Sequence, residues 1–329
     1  MKLFFERTVD FFSWLIDFFK NLGRRKPDDP PPPPPGVTYA QKASFPKDAV
    51  TDCNVTQGFA VGTDYCYAFR VNGPDDTAHI LYQNKMGTTT VTRMYGDSSV
   101  GELGHANDMA LASYKVGGVD CFFMYVVVNG GNVPRNAIVK LQYSGTNYSE
   151  VGRYYYPGGN DSYTVYSGIS NMGPAKDKNG NDGIKFLLKK GDDFSTVVIP
   201  YNQGNKTILS KTDNFFVKEA FSIDRNNTFY SNYVSQGLHY EPSTEKIYVP
   251  YWDSANQNKN VVLRYNISSS PWIRDNVWEI NNNNIAKFEI EGNGFPRNRK
   301  VASENNVFWF ATCETTPGGK IYTDSKVKK

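Results

Sequence analysis

The sequence predicts an all-β domain carried behind an amphipathic N-terminal α-helix and a polyproline spacer. Three observations predict this. Residues 2–26 place aromatic and aliphatic side chains at helical spacing. Six consecutive prolines, Pro30 to Pro35, follow them. Beyond the prolines the chain is rich in Tyr, Phe, Asn and Gly, the composition of many short strands joined by tight turns. The expected boundaries are 1–26 for the helix, 27–36 for the linker and 37–329 for the β-domain.

In the helix, Glu6, Asp10, Ser13, Asp17, Lys20 and Arg24 form one polar stripe. Phe4, Phe11, Leu15, Phe18 and Leu22 form an apolar row. Phe5, Val9, Phe12, Ile16 and Phe19 form a second row, and Trp14 widens it. This face is broader than the seam of a dimeric coiled coil. Each large side chain gains about 1.5–3 kcal/mol on burial, so the face is expected to be covered. A larger protein assembly, copies of the same helix, a membrane interface or the β-domain itself would each cover it. Charges every three or four residues argue against a transmembrane span. A single lysine at the start, then Glu6 and Asp10, argue against a secretory signal peptide. An extracellular or virion-associated setting is expected. Gly23, the basic run Arg24 to Lys26 and Pro27 stop the helix. The prolines are expected to form a polyproline II spacer of about 19 Å, in preference to a proline-recognition ligand.

The β-domain reads as five groups of strands, over residues 58–95, 108–156, 167–211, 237–281 and 301–323. The fifth group is short and needs a strand from elsewhere, such as Val37–Tyr39. Each group opens on a small polar signature: Gln57-Gly58-Phe59, His105 to Met109, Ser167-Gly168-Ile169, Gln236-Gly237-Leu238, then Arg299-Lys300-Val301. Radial repetition of four-strand units protects strand edges. The expected fold is therefore a five-bladed β-propeller, with a non-repeating β-sandwich as the alternative.

Gln57-Gly58-Phe59, Gly104-His105-Ala106-Asn107-Asp108 and Gln236-Gly237-Leu238 resemble blade openings of a propeller family. That family includes receptor-binding proteins of staphylococcal short-tailed phages, TagC-like proteins and helveticin J-type bacteriocins. The resemblance spans Gln57 to Thr323 and does not include the helix or the prolines. It implies a five-bladed propeller that recognises a bacterial surface glycan or glycopolymer, as a phage structural protein or as a bacteriocin acting at the envelope.

The chemistry is sparse. Furanosidases on this fold need paired carboxylates, and Asp108 is the acidic residue expected beside an opening. His105 and His239 sit at openings, where an acid–base role competes with a structural one. The expected ligand-binding set is Gln57, His105, Asn107, Asp108, Gln236, His239, Tyr251 and Trp252. Tyr154 to Tyr156, Tyr163, Tyr166 and Trp272 are further stacking candidates. The span from Asp177 to Gly183 reads as a polar hairpin turn rather than a calcium loop, since Leu188 stands where the loop's closing Glu belongs. Cys53, Cys66, Cys121 and Cys313 match no metal spacing and read as free thiols, although one disulfide is compatible with them. No metal or cofactor is expected. A net charge of +3 argues against a nucleic-acid partner.

Overall fold

The computed structural model describes residues 39–73, 76–130, 136–155, 166–191, 193–204, 216–222, 232–268, 272–315 and 318–329. The expected helix and proline spacer lie outside these residues.

The described residues form five antiparallel sheets, one per blade. β1 (Tyr39–Ser44) comes first in the chain and is used last. Blade one runs β2 (Val55–Val61), β3 (Tyr65–Val71), β4 (His79–Lys85), β5 (Val91–Arg93). The short β6 (Tyr95–Gly96) then pairs in parallel with the outer strand of blade two. That blade runs β7 (Asp108–Val116), β8 (Val119–Val128), β9 (Ala137–Ser144), β10 (Asn147–Tyr155). Blade three runs β11 (Gly168–Lys176), β12 (Asp182–Lys190), β13 (Asp193–Pro200), β14 (Phe216–Ser222). Blade four has a broken inner strand, β15 (Tyr233–Ser235) and β16 (His239–Glu241), against β17 (Lys246–Asp253), β18 (Asn260–Asn266) and β19 (Ile273–Glu279). Blade five runs β20 (Phe288–Gly294), β21 (Phe308–Glu314), β22 (Lys320–Asp324), and β1 completes it. First and last strands thus share one sheet, which closes the ring. The sandwich alternative is excluded, and a strand from before the first group does complete the fifth.

The strands are apolar on both sides because each blade is covered by a neighbour on both faces. β8 shows this. Phe123, Tyr125 and Val127 pack with Ile169, Phe186 and Leu188 of blade three. Met124, Val126 and Val128 pack with Tyr67, Phe69 and Leu81 of blade one.

The fifth blade corrects the sequence expectation. Its inner strand is β20, and its opening is Glu291-Gly292, not Arg299-Lys300-Val301. Residues Ala302–Asn306 form a 3₁₀ turn, and Val301 is 54% exposed. Two glutamates in the run from Phe288 to Gly294 make a buried strand look like a surface one. In the same way, Asp108 is not alone as an acidic residue beside an opening, because Glu289 and Glu291 flank the fifth.

The openings now read as one motif. Gly58, Gly168, Gly237 and Gly292 occupy four blades, and Asp108 holds the matching place in blade two. A side chain at Gly237 would meet the Glu291 carbonyl at 2.8 Å, and one at Gly292 would meet Cβ of Phe59 at 2.8 Å. Inner-strand register shifts fall at this point in blades one and five. They turn backbone groups toward the next blade. The Gly58 N–H donates to the Ala106 carbonyl at 2.9 Å, and the Gly237 N–H donates to the Glu291 carbonyl at 3.1 Å. Asp108 binds what is left. Its Oδ1 accepts the N–H of Met109 at 2.9 Å, and its Oδ2 accepts the N–H groups of Ile169 and Leu238, each at 2.9 Å. One carboxylate therefore ties blades two, three and four. Burial pushes its pKa up to about 8, opposed by these donors and by Lys189.

Replacing Asp108 with Ala leaves three buried N–H groups unpaired. The expected loss of stability is roughly 3 kcal/mol or more, read from urea denaturation midpoints. A variant as stable as the parent would remove the carboxylate from its role as the central tie.

Candidate functional site

The glycine openings lie toward the starts of the inner strands, and space remains toward their ends. There the strands leave a cavity of about 690 Å³, within the range of small-ligand sites. Its wall is built from the second halves of the inner strands and the turns that follow. Residues 59–65 and 109–113 contribute, with Ser170, Asn171, Gly173, Pro174, Leu238, His239, Asn293, Arg297 and Asn298.

One side is aromatic. Tyr65, Tyr67, Tyr143 and Phe122 line the cavity where blades one and two meet. Ring centroids are 6.3 Å apart from Tyr65 to Tyr67, 5.2 Å from Tyr67 to Tyr143 and 6.0 Å from Tyr143 to Phe122. Tyr67 is buried, and Phe122 is 49% exposed at the mouth. A row graded from buried to exposed, with hydroxyls along it, suits a ligand that presents both apolar faces and polar edges.

The other sides are polar and mostly self-satisfied. Asn171 donates to the Leu111 carbonyl at 2.7 Å and accepts the Gly173 N–H at 2.7 Å. Ser170 Oγ accepts the Tyr240 N–H at 2.7 Å. Arg297 donates to the Tyr240 carbonyl at 2.7 Å, which ties blades four and five. Asp64 is the carboxylate among the lining residues, and it lies 2.8 Å from Arg299 Nη1. Asn293 is buried, and neither its Nδ2 nor its Oδ1 has a partner.

His239 also lines the cavity. Burial pushes its pKa down to about 4, and Arg297 and Lys329 add to that, while Glu241 acts the other way. Its Nε2 stands 3.6 Å from Glu241 Oε2, the same oxygen that Lys329 Nζ approaches at 3.2 Å.

The expected ligand-binding residues are dispersed. His239 is the member of that set which lines this cavity. Gln57 and Asp108 are buried where the inner strands begin. Gln236 donates to Glu289. His105 Nδ1 lies 2.7 Å from Asp76 Oδ2, and Asn107 Oδ1 has no partner. Tyr251 is buried, and Trp252 donates from Nε1 to the Gln257 carbonyl at 2.9 Å. Tyr154, Tyr166 and Trp272 are buried as well. Tyr156 and Tyr163 lie outside the described residues. Sequence reading missed Tyr65, Tyr67, Phe122, Tyr143 and Asn293. Alternation of Tyr65 and Tyr67 around Cys66 was the available signal, and it looks the same in any packed strand.

A second cluster joins Glu289, Glu291 and Cys313, all buried, with donor atoms within 4.8 Å of one another. Lys287 Nζ lies 2.7 Å from Glu289 and supplies the positive charge. Burial, with Glu289 beside it, raises the Glu291 pKa well above the usual carboxylate range. The Asp177 segment is a polar turn, in which Asp177 Oδ1 accepts the N–H groups of Asn179 and Asn181, each at 2.8 Å. All four cysteines are free.

No protein-family model matches the chain, and no curated protein matches it. Solved structures do. The tail fibre of Staphylococcus aureus phage P68 is similar over 94% of this chain at 13% identity, with a TM-score of 0.50. The chain spans 56% of that fibre's length. A GH43 endo-arabinanase from Bacillus licheniformis matches over 84% of this chain and 96% of its own, at 12% identity and TM-score 0.46. The six-bladed lectin of Aleuria aurantia matches over 82% of this chain and 77% of its own, at 11% identity and TM-score 0.36. At such identities the likeness is one of fold. Among the described residues no helix is long and apolar enough to cross a membrane.

The buried histidine sets a pH dependence. Above pH 6.5 His239 is neutral in both the folded and unfolded chain. Between pH 6.5 and about 4 only the unfolded chain takes the proton. Stability attributable to this site is therefore lost as pH falls through that window, by up to roughly 3 kcal/mol. Denaturation midpoints measured across pH 4–7 should fall on the acid side, and His239→Gln should flatten that part of the slope. An unchanged slope in the variant would assign the acid sensitivity elsewhere.

Proposed function

We propose that this protein is a non-enzymatic binding propeller that recognises a bacterial cell-surface glycan through the cavity where its inner strands end. Residues 1–26 dock it on a larger assembly, of which a phage particle is one kind. The observation that carries this reading is the aromatic row beside neutral polar groups. Flat aromatic faces cover the C–H faces of sugar rings, and hydroxyls and amides meet their edges. Asp64, the carboxylate in the lining, is held by Arg299. Likeness in fold to a staphylococcal phage tail fibre supports a displayed role. The width of the apolar face from Phe4 to Leu22 supports docking over a free helix.

A glycoside hydrolase is the second reading, and Glu289 with Glu291 favours it, since Lys287 pairs with one carboxylate and burial raises the pKa of its neighbour. Both are buried, and Glu289 is already engaged by Lys287 and Gln236. Hydrolysis of arabinan or another furanoside by the full chain, lost in Glu291→Gln, would replace the binding reading with this one. No turnover is expected from either protein.

The binding reading is tested on purified bacterial walls. The full chain should be retained, and Tyr143→Ala should weaken retention about tenfold, equivalent to about 1.4 kcal/mol. Removal of residues 1–26 should leave wall affinity intact and abolish assembly, followed by light scattering. Failure of the full chain to bind any wall preparation would sink the glycan reading.

A further inference from the structure

We propose that Asn293 is the residue that reads the ligand, and that it reads an uncharged pair of vicinal hydroxyls on a sugar seated in the cavity. This deepens the glycan reading above and depends on it for the class of ligand.

Asn293 stands at the end of the inner strand of blade five and is 3% exposed. It lines the cavity, and both polar atoms of its amide are buried without a partner. Among the described residues it is the side chain that leaves two such atoms unpaired. Buried polar groups in folded proteins are nearly always paired, so this amide is complementary to something that enters the cavity. Exchanging its O and N positions changes nothing, because neither atom is spoken for.

The chemistry selects the ligand. An amide offers two donor hydrogens and an acceptor oxygen side by side. Neighbouring hydroxyls offer the reverse, since each both donates and accepts. A phosphate or carboxylate would satisfy Nδ2 and set anionic oxygen against Oδ1. The surroundings agree. His239 is held neutral by burial, and Arg297 spends donors on the Tyr240 and Asn171 carbonyls. The aromatic row supplies the apolar wall that a neutral sugar ring needs and an anion does not.

The test uses the full chain with methyl β-glucopyranoside, methyl β-galactopyranoside and N-acetylglucosamine as probes, followed by saturation-transfer NMR. At least one should receive saturation from the parent protein. Asn293→Leu should reduce that signal fivefold or more. Asn293→Asp, which keeps the size and replaces the donor with an acceptor, should reduce it likewise, which covers a folding failure in the leucine variant. Inorganic phosphate at tenfold excess should not displace the sugar. Saturation that is absent with all three probes, unchanged in both variants, or abolished by phosphate overturns the assignment. Wall retention measured on the same variants separates the two readings. If Tyr143→Ala loses wall binding and Asn293→Leu keeps it, the glycan reading stands and the role of Asn293 falls.

Discussion

Five sheets meet along one line, and the inner strands approach so closely that most of them carry no side chain there. The glycines at the blade openings are a steric requirement, since a Cβ at Gly58 would lie 2.6 Å from the Ala106 carbonyl. Crowding of this kind leaves backbone N–H groups buried, and each needs an acceptor. Two blade junctions use a neighbouring carbonyl. The N–H groups of Met109, Ile169 and Leu238 depend on Asp108, whose two oxygens accept all three across blades two, three and four. Blade two alone carries a side chain at this position, and that side chain is the acceptor the others lack.

The hub also decides where a ligand can sit. Near the starts of the inner strands Asp108 is occupied by backbone N–H groups and Gln236 by Glu289, while burial raises the Glu291 pKa. At the opposite ends the strands diverge, and space opens between blades one and two. Polar side chains there have fewer obligations, and Asn293 has none.

Much of this was legible in the residues. Alternating apolar runs predicted the strands, and the uninterrupted run from Phe123 to Val128 reflects a strand buried on both faces. Recurrence of Gln-Gly and Ser-Gly pairs exposed three of the five openings, and the run from His105 to Met109 a fourth. The fifth escaped because Glu289 and Glu291 are charged by type yet buried by position, which only the neighbouring Lys287 and Gln236 make tolerable. The aromatic row escaped for a related reason. Tyr67 and Tyr143 come from different blades, and no local pattern reports that their rings stand 5.2 Å apart. Asn293 was invisible because a missing partner is a property of the whole fold.

Ring closure rests on the first described strand of the chain. β1 is six residues long and mostly exposed, so it has few side chains with which to hold on. A register shift between Gln41 and Ala43 lets it grip both faces of blade five. Ala43 packs toward blade one, while Tyr39 packs against Phe288, with centroids 5.5 Å apart, and against Tyr322 at 5.3 Å. The Tyr39 hydroxyl also donates to the Asn281 carbonyl at 3.0 Å, next to blade four. Tyr39 is thus clamped by β20, β22 and the loop after β19. A strand held mainly by its own ladder would peel one bond at a time from its end. Here the residue at the end of the strand is held by side-chain contacts as well as by the ladder.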